Sequence, residues 1–146
     1  MDNTKPSNPK DAVGIKKVAL SVLPIRVIYE VALGMFEGAL KYGRHNYRTI
    51  GVRASVYYDA TKRHLDDWWE GTDTDPDSQL NHVTKAICSL IVLRDAMIRG
   101  NWTDDRPPCS EPGWMQEMNK HVEILIAKYP DPKPAFTEVE HGKKAA

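Results

Sequence analysis

QLNHVTKAICSLIVLRDAMIRG, residues 79–100, decides the fold. Leu80, Val83, Ile87, Leu90, Ile91, Leu93, Met97 and Ile98 recur at the short intervals of an α-helix, not at the strict alternation of a strand. They cover more than half of the circumference, so the helix predicted over 79–99 is either the most buried one or an oligomer contact. Gly100 supplies its stop. The turn-rich TDTDPDS before it offers Asp77 or Ser78 as a cap for a free first-turn N–H.

The same spacing recurs on both sides. Ile28, Val31, Ala32, Met35, Ala39 and Leu40 predict a helix over 24–42, with Pro24 suited to its first turn and Gly43 as its stop. Tyr57, Ala60, Thr61, His64, Leu65 and Trp68 form the apolar side of a helix over 54–70, ended by Gly71. A fourth, over 114–129, carries Met115, Met118, Val122, Leu125, Ile126 and Tyr129 and ends at Pro130 and Pro132. No segment alternates cleanly as a strand, although residues 15–23 read as strand, helical turn or packed arm alike. The expected fold is an all-α helical bundle of about four helices. The Lys-, Asn- and Pro-containing start predicts an extended N-terminal arm over 1–23, within one helical domain over 1–130. Residues 131–146 have little to bury and read as a flexible tail. A bundle of this size buries a limited core, which predicts a homo-oligomer through 79–99 or 24–42.

Composition narrows the function classes. The 146 residues are 41% hydrophobic and 27% charged, and 20 Lys and Arg balance 20 Asp and Glu. That balance argues against a general nucleic-acid coat, so no nucleic-acid partner is expected. No apolar run approaches the roughly 20 residues of a membrane helix, and the start lacks the apolar core of a signal peptide. Cys88 and Cys109 are the two cysteines, and Cys88 lies in an apolar helical pattern. A reducing cytoplasm is the expected setting. There is no GxxxxGK[ST] loop, no GxGxxG after a strand, no HExxH and no CxxC.

Chemistry-bearing residues crowd between Glu37 and Ala86. On the predicted helix 24–42, Glu30, Gly34, Glu37 and Lys41 share a face; Glu37 with Lys41 also reads as an ordinary surface pair. In KYGRHNYR (41–48), Lys41, Arg44 and Arg48 can meet phosphate, with Asn46 and two tyrosines interleaved, or can simply suit a helix C-terminus. The helix over 54–70 bears Asp59, Arg63, Asp66, Asp67 and Glu70 on its polar faces, while His64 sits on the apolar side beside Trp68. Asp67 and Glu70 can converge on one hard cation. Asp73, Asp75 and Asp77 alternate as in a calcium loop, but the glycine and distal glutamate of that motif are missing. His82 points the same way as Lys85 and Ala86 and reads as a site residue or a cap-region hydrogen-bonding group.

NPKDAVGIKKVALSVLP, EGALKYGRHNYR, YYDATKRHLDDWWEG and DPDSQLNHVTKA, in this order, resemble the phage and prophage family named dATP/dGTP diphosphohydrolase, N-terminal domain. The resemblance spans roughly residues 8–98. It implies a relation to the all-α, MazG-like nucleoside triphosphate pyrophosphohydrolases, in which acidic side chains hold Mg²⁺. The implied activity is metal-dependent cleavage of (deoxy)nucleoside triphosphates, purine dNTPs foremost, to monophosphate and pyrophosphate, in the host cytoplasm if the gene is a phage's. The implied roles are Mg²⁺ or Mn²⁺ on Glu37, Asp59, Glu70 and Asp75, and water orientation by His64 or His82. Substrate would be bound by Lys17, Lys41, Arg44, Asn46 and Arg63. The chain departs from the superfamily's ExxE and ExxD pairs: Glu30 and Glu37 are seven apart, and Asp67–Glu70 runs in reverse order. Lys85 stands where relatives often have a second histidine. The other reading of the same residues is a phage protein that binds or sequesters a nucleotide without cleaving it.

Overall fold

The computed structural model describes residues 8–141, and for His141 the backbone alone. The parts of the expected arm and tail at 1–7 and 142–146 lie outside the described residues. The fold is all-α. Helix α1 spans Pro9–Gly14, followed by a 3-10 turn at Leu20–Val22. Then come α2 (Ile25–Tyr42), α3 (Asn46–Ile50), strand β1 (Val52–Arg53), α4 (Ala54–Trp69), α5 (His82–Ile98), strand β2 (Trp102–Thr103), α6 (Trp114–Lys128) and α7 (Glu138–His141). The chain divides into two compact units, one up to Arg106 and one from Pro107, a boundary that falls inside the Pro-containing loop. The second unit holds α6 and α7, and every residue of α6 is exposed.

The four long helices fall where the apolar spacing puts them. Three local readings are corrected. The expected extended arm carries α1, because Asn8 and Asp11 form a reciprocal capping box around Pro9. Asn8 Oδ1 accepts from Lys10 N–H at 3.0 Å and Asp11 Oδ2 from Asn8 N–H at 3.1 Å. Helix α5 begins at His82, three residues later than expected, and its cap is Asn81, whose side chain accepts from Val83 N–H at 2.8 Å. Asp77 and Ser78 belong instead to the preceding loop. Third, a two-residue parallel pair, Val52 with Trp102 and Arg53 with Thr103, joins β1 to β2. Such a short pair leaves no periodic trace in sequence.

Helix α5 is the centre of the first unit, packed against α4 on one side and α2 on the other. Thr84 and Cys88, one turn apart, meet α2: Cys88 Sγ lies 3.4 Å from the Val31 carbonyl and Thr84 Oγ1 3.5 Å from Glu30 Oε2. His82 faces α4. Helices α2 and α5 approach closely at Gly34, where an added Cβ would stand 2.5 Å from Cys88 Sγ. The buried apolar side chains are Val31, Val52, Ala54, Ala86, Cys88 and Ala96, all small, so the helices come close but the core is thin.

The far end is fastened by polar contacts. Arg48 makes two bonds to Asp95, at 2.8 and 3.0 Å, and Asn101 donates to the Arg48 carbonyl at 2.9 Å. Gly51, at φ +82°, lies so near Asn101 that a Cβ would sit 2.7 Å from its Oδ1. Asp105 accepts from Ser55 N–H at 2.8 Å and from the Ser55 hydroxyl, satisfying a free donor in the first turn of α4. This leaves the other end of the helix pair, where α4 gives way to the loop before α5, to form the site.

Candidate functional site

Residues 73–82 fold back on themselves. Thr74 and Asn81 form an antiparallel bridge, with Asp75 N–H bonded to Leu80 O and His82 N–H to Asp73 O, both at 2.8 Å. The reversal passes through Gln79 in the left-handed region, φ +61°. Asp75 Oδ2 fixes the turn by accepting from Ser78 N–H at 3.0 Å and Ser78 Oγ at 2.6 Å. This loop sets His82 at the first position of α5 and Asp75 beside it.

His82 is 2% exposed, and its Nδ1 stands 2.8 Å from Nδ1 of half-buried His64 on α4. One ring must therefore hold a proton at Nδ1 and the other a lone pair. His82 Nε2 is buried without a hydrogen bond; Asp67 Oδ2 stands 4.0 Å from it. His64, Asp75 and His82 each offer one ligand atom, and the three atoms lie within 4.8 Å of one another. Burial pushes the His64 imidazole below its ordinary value. For Asp75, burial acts upward, but the two Ser78 bonds and the positive side chains nearby bring the carboxyl below its usual range.

A second cluster adjoins the first through Lys85, one turn along α5 from His82. The Lys85 ammonium bonds Glu37 Oε2 at 2.8 Å, and its charge also acts on His64 and Asp75. Glu37 Oε1 takes Lys41 at 2.7 Å, and Lys41 reaches on to Asp77 Oδ2 at 2.8 Å. The bonds to Lys41 and Lys85 hold the Glu37 carboxyl below its ordinary value. The bonds to Asp77 and Glu37 hold the Lys41 ammonium well above its own.

The junction of α2, α4 and α5 thus gathers Glu37, Lys41, His64, Asp75 and His82 of the residues named from sequence. The others lie elsewhere. Asp59, five residues before His64, is about 140° round α4 from it and exposed; Arg63 and Glu70 are exposed as well. Lys17 is exposed in the turn after α1. Arg44 and Asn46 line a cavity of about 500 Å³ with Tyr42, Tyr47, Tyr57 and Cys88. None of Glu37, His64, Asp75 and His82 lines that cavity. Two contributors are named in the sequence reading without a place in the site: Lys85, read as sharing a direction with His82, and Asp67, read as a cation-binding pair with Glu70. Lys85 lies one helical turn beyond His82, and Asp67 is paired in that reading with Glu70, three residues on, and not with His82.

No helix among the described residues is long and apolar enough to cross a membrane. Over 90 residues the chain is 31% identical to a dATP/dGTP diphosphohydrolase of Salmonella phage PMBT28, covering 62% of this chain and 30% of that relative. It therefore spans less than a third of the length of the curated relative it matches. No solved structure matches. The family described as dATP/dGTP diphosphohydrolase, N-terminal, matches residues 7–106, the stretch that holds the whole α2–α4–α5 junction, and the chain belongs to that family.

Proposed function

We propose that this chain binds a (deoxy)nucleoside triphosphate at the α2–α4–α5 junction and serves its hydrolysis to monophosphate and pyrophosphate. The observation that carries the reading is the Lys41–Glu37–Lys85 chain beside the His64–His82 pair. Two ammonium groups are already held in place there, and a triphosphate can take over their bonds from Glu37 and Asp77. The neighbouring cavity, with Tyr42, Tyr47, Arg44 and Asn46, suits a purine nucleoside. His64, whose imidazole burial pushes below its ordinary value, is a candidate to take a proton from an attacking water.

Mg²⁺ or Mn²⁺ would supply Lewis-acid chemistry at the phosphates. Mg²⁺ prefers oxygen ligands and keeps its water. Glu37 spends both carboxylate oxygens on lysines, and Asp75 is flanked by imidazoles. The junction's own donor set therefore fits an oxygen-only Mg²⁺ cage poorly, and a Mg²⁺ ion would enter on the triphosphate itself. We further propose that the chain works as a homo-oligomer, since Ile25, Tyr29, Leu33, Phe36 and Leu40 form an exposed apolar stripe on α2.

A second reading, binding without cleavage, is favoured by one observation: the chain covers 30% of the relative whose name carries the activity. Pyrophosphate release from each common NTP and dNTP, with Mg²⁺ or Mn²⁺, separates the two. Release from at least one supports the hydrolase. Thermal stabilisation by a nucleotide without release replaces it with the binding module.

A further inference from the structure

We infer that His64, Asp75 and His82 form a binding site for a divalent first-row transition ion of the imidazole-preferring kind, such as zinc or cobalt. The inference does not depend on the hydrolase reading, because it concerns an ion held by the protein alone.

The donor set is two imidazole nitrogens and one carboxylate oxygen, drawn from α4, the 73–82 loop and the start of α5. Nitrogen donors of this kind suit zinc, cobalt or nickel, whereas Mg²⁺ and Ca²⁺ select oxygen. The three ligand atoms lie within 4.8 Å of one another, so an ion would draw the carboxylate in while parting the two rings. Two nitrogens on one tetrahedral zinc stand roughly 3.3 Å apart. The two Nδ1 atoms here are 2.8 Å apart, so opening by about half an ångström admits the ion. Asp75 is ready for it as well. Both Ser78 bonds go to Oδ2, which locks the carboxylate while leaving Oδ1 to bind.

The independent observation is the orphaned His82 Nε2. A buried ring nitrogen without a partner is uncommon and costs stability. An ion on Nδ1 forces the remaining proton onto Nε2, making it a donor. The Asp67 carboxylate, 4.0 Å away, is the acceptor that a small ring tilt would engage. Metal-bound histidines regularly give their second N–H to a carboxylate in this manner, which fixes the tautomer and the ring angle. The group that lacks a partner thereby acquires one when the ion binds. Three protein ligands leave further positions open to water or to a phosphate oxygen.

The test uses the full chain without nucleotide, titrated with Co²⁺ and followed by its visible d–d absorption. A tetrahedral or five-coordinate band saturating at one ion per chain is expected, with Zn²⁺ displacing Co²⁺ and a large excess of Mg²⁺ failing to do so. Zn²⁺ should raise the Tm, and a chelator should return it. His64→Ala and Asp75→Asn should each weaken Co²⁺ binding at least tenfold. Asn keeps an acceptor for Ser78, and His64 is only half-buried, so both variants should fold; circular dichroism checks that they do. His121→Ala, outside the cluster, should leave the band unchanged. An unchanged band in folded His64→Ala and Asp75→Asn overturns the site, as does displacement by Mg²⁺ or the absence of saturable binding. Pyrophosphate release plays no part in the readout, so failure here leaves the hydrolase reading standing, and failure of that reading leaves this site standing.

Discussion

Lys85 Nζ lies 2.8 Å from Glu37 Oε2, a bond across 48 residues of sequence that ties the start of α5 to the second half of α2. The ammonium is mostly covered, its side chain 18% exposed, so its charge is directed at the junction and not at bulk water. In the proposed reading it is the cation that would take a phosphate first, because Glu37 holds it in position before any ligand arrives.

Lys85→Ala should therefore weaken nucleotide binding by about ten- to a hundredfold, the range of one lost charge-assisted hydrogen bond. Lys41→Ala should weaken it less, since that side chain is 42% exposed. Calorimetric titration of each variant with a dNTP checks both. Equal affinity in Lys85→Ala and the parent chain would place the triphosphate elsewhere.

Glu37 gives an acid-limb prediction. Its folded value lies below the ordinary 4.5, so the folded chain binds fewer protons there than the unfolded one. The stabilisation is fully present above 4.5 and is lost as pH falls through the depressed value. Glu37→Gln should flatten that limb while leaving the helical spectrum at neutral pH intact. Urea midpoints across the acid range for both chains measure it.

His64 acts one window higher. Burial lowers its folded value beneath 6.5, so between that lowered value and 6.5 the unfolded chain binds more protons. Stability should rise with pH through this interval and level off above 6.5. His64→Gln should remove that rise, as read by the thermal midpoint against pH without added metal.

Gly34→Ala should destabilise the fold by about 1–3 kcal/mol, the usual cost of overpacking. The new Cβ would lie 2.5 Å from Cys88 Sγ, a short side chain with little room to swing. Gly34→Ala with Cys88→Ala should recover most of the loss, because the sulfur is then gone and the Cys88 Cβ is 3.8 Å from the new methyl. Denaturant unfolding of the two single variants and the double gives the coupling.

The oligomer prediction rests on α2. Leu33 is 57% and Phe36 51% exposed in the middle of the apolar stripe. Sedimentation at micromolar concentration should show a dimer or larger, and Leu33→Asp with Phe36→Asp should shift it to monomer without loss of helix. A monomeric parent chain at that concentration would contradict this.

The long helices were legible because each combines a dense apolar period with a stop at Gly43, Gly71, Gly100 or Pro130. The beginning of α5 was not, since the apolar period runs on to Leu80 while the backbone has already turned back at Gln79 and paired Asn81 with Thr74. Helix α3 and the Val52–Trp102 pairing are too short for any period to show. Within the junction, His64 was visible as an imidazole on an apolar face and His82 as one near a helix start. The bond from Lys85 to Glu37 was hidden for a different reason: Lys41, four residues from Glu37, already accounted for that carboxylate locally. Asp59 and Glu70 looked like ligands because carboxylate chemistry is readable from sequence, whereas their exposure on other sides of α4 is a matter of helix rotation against neighbours.

The contact between Gly34 and Cys88 also makes the molecule its own clock. Cys88 Sγ is buried against α2, bonded to the Val31 carbonyl, and burial pushes its thiol above the ordinary value, so a thiol reagent finds little thiolate there and reacts slowly. Cys109 is exposed and reacts at the reagent's own pace. The lag between the first and second labelled cysteine then times how often α2 lifts away from α5. Whatever braces that pair, whether nucleotide, metal ion or a second copy of the chain, would register as a slower second label.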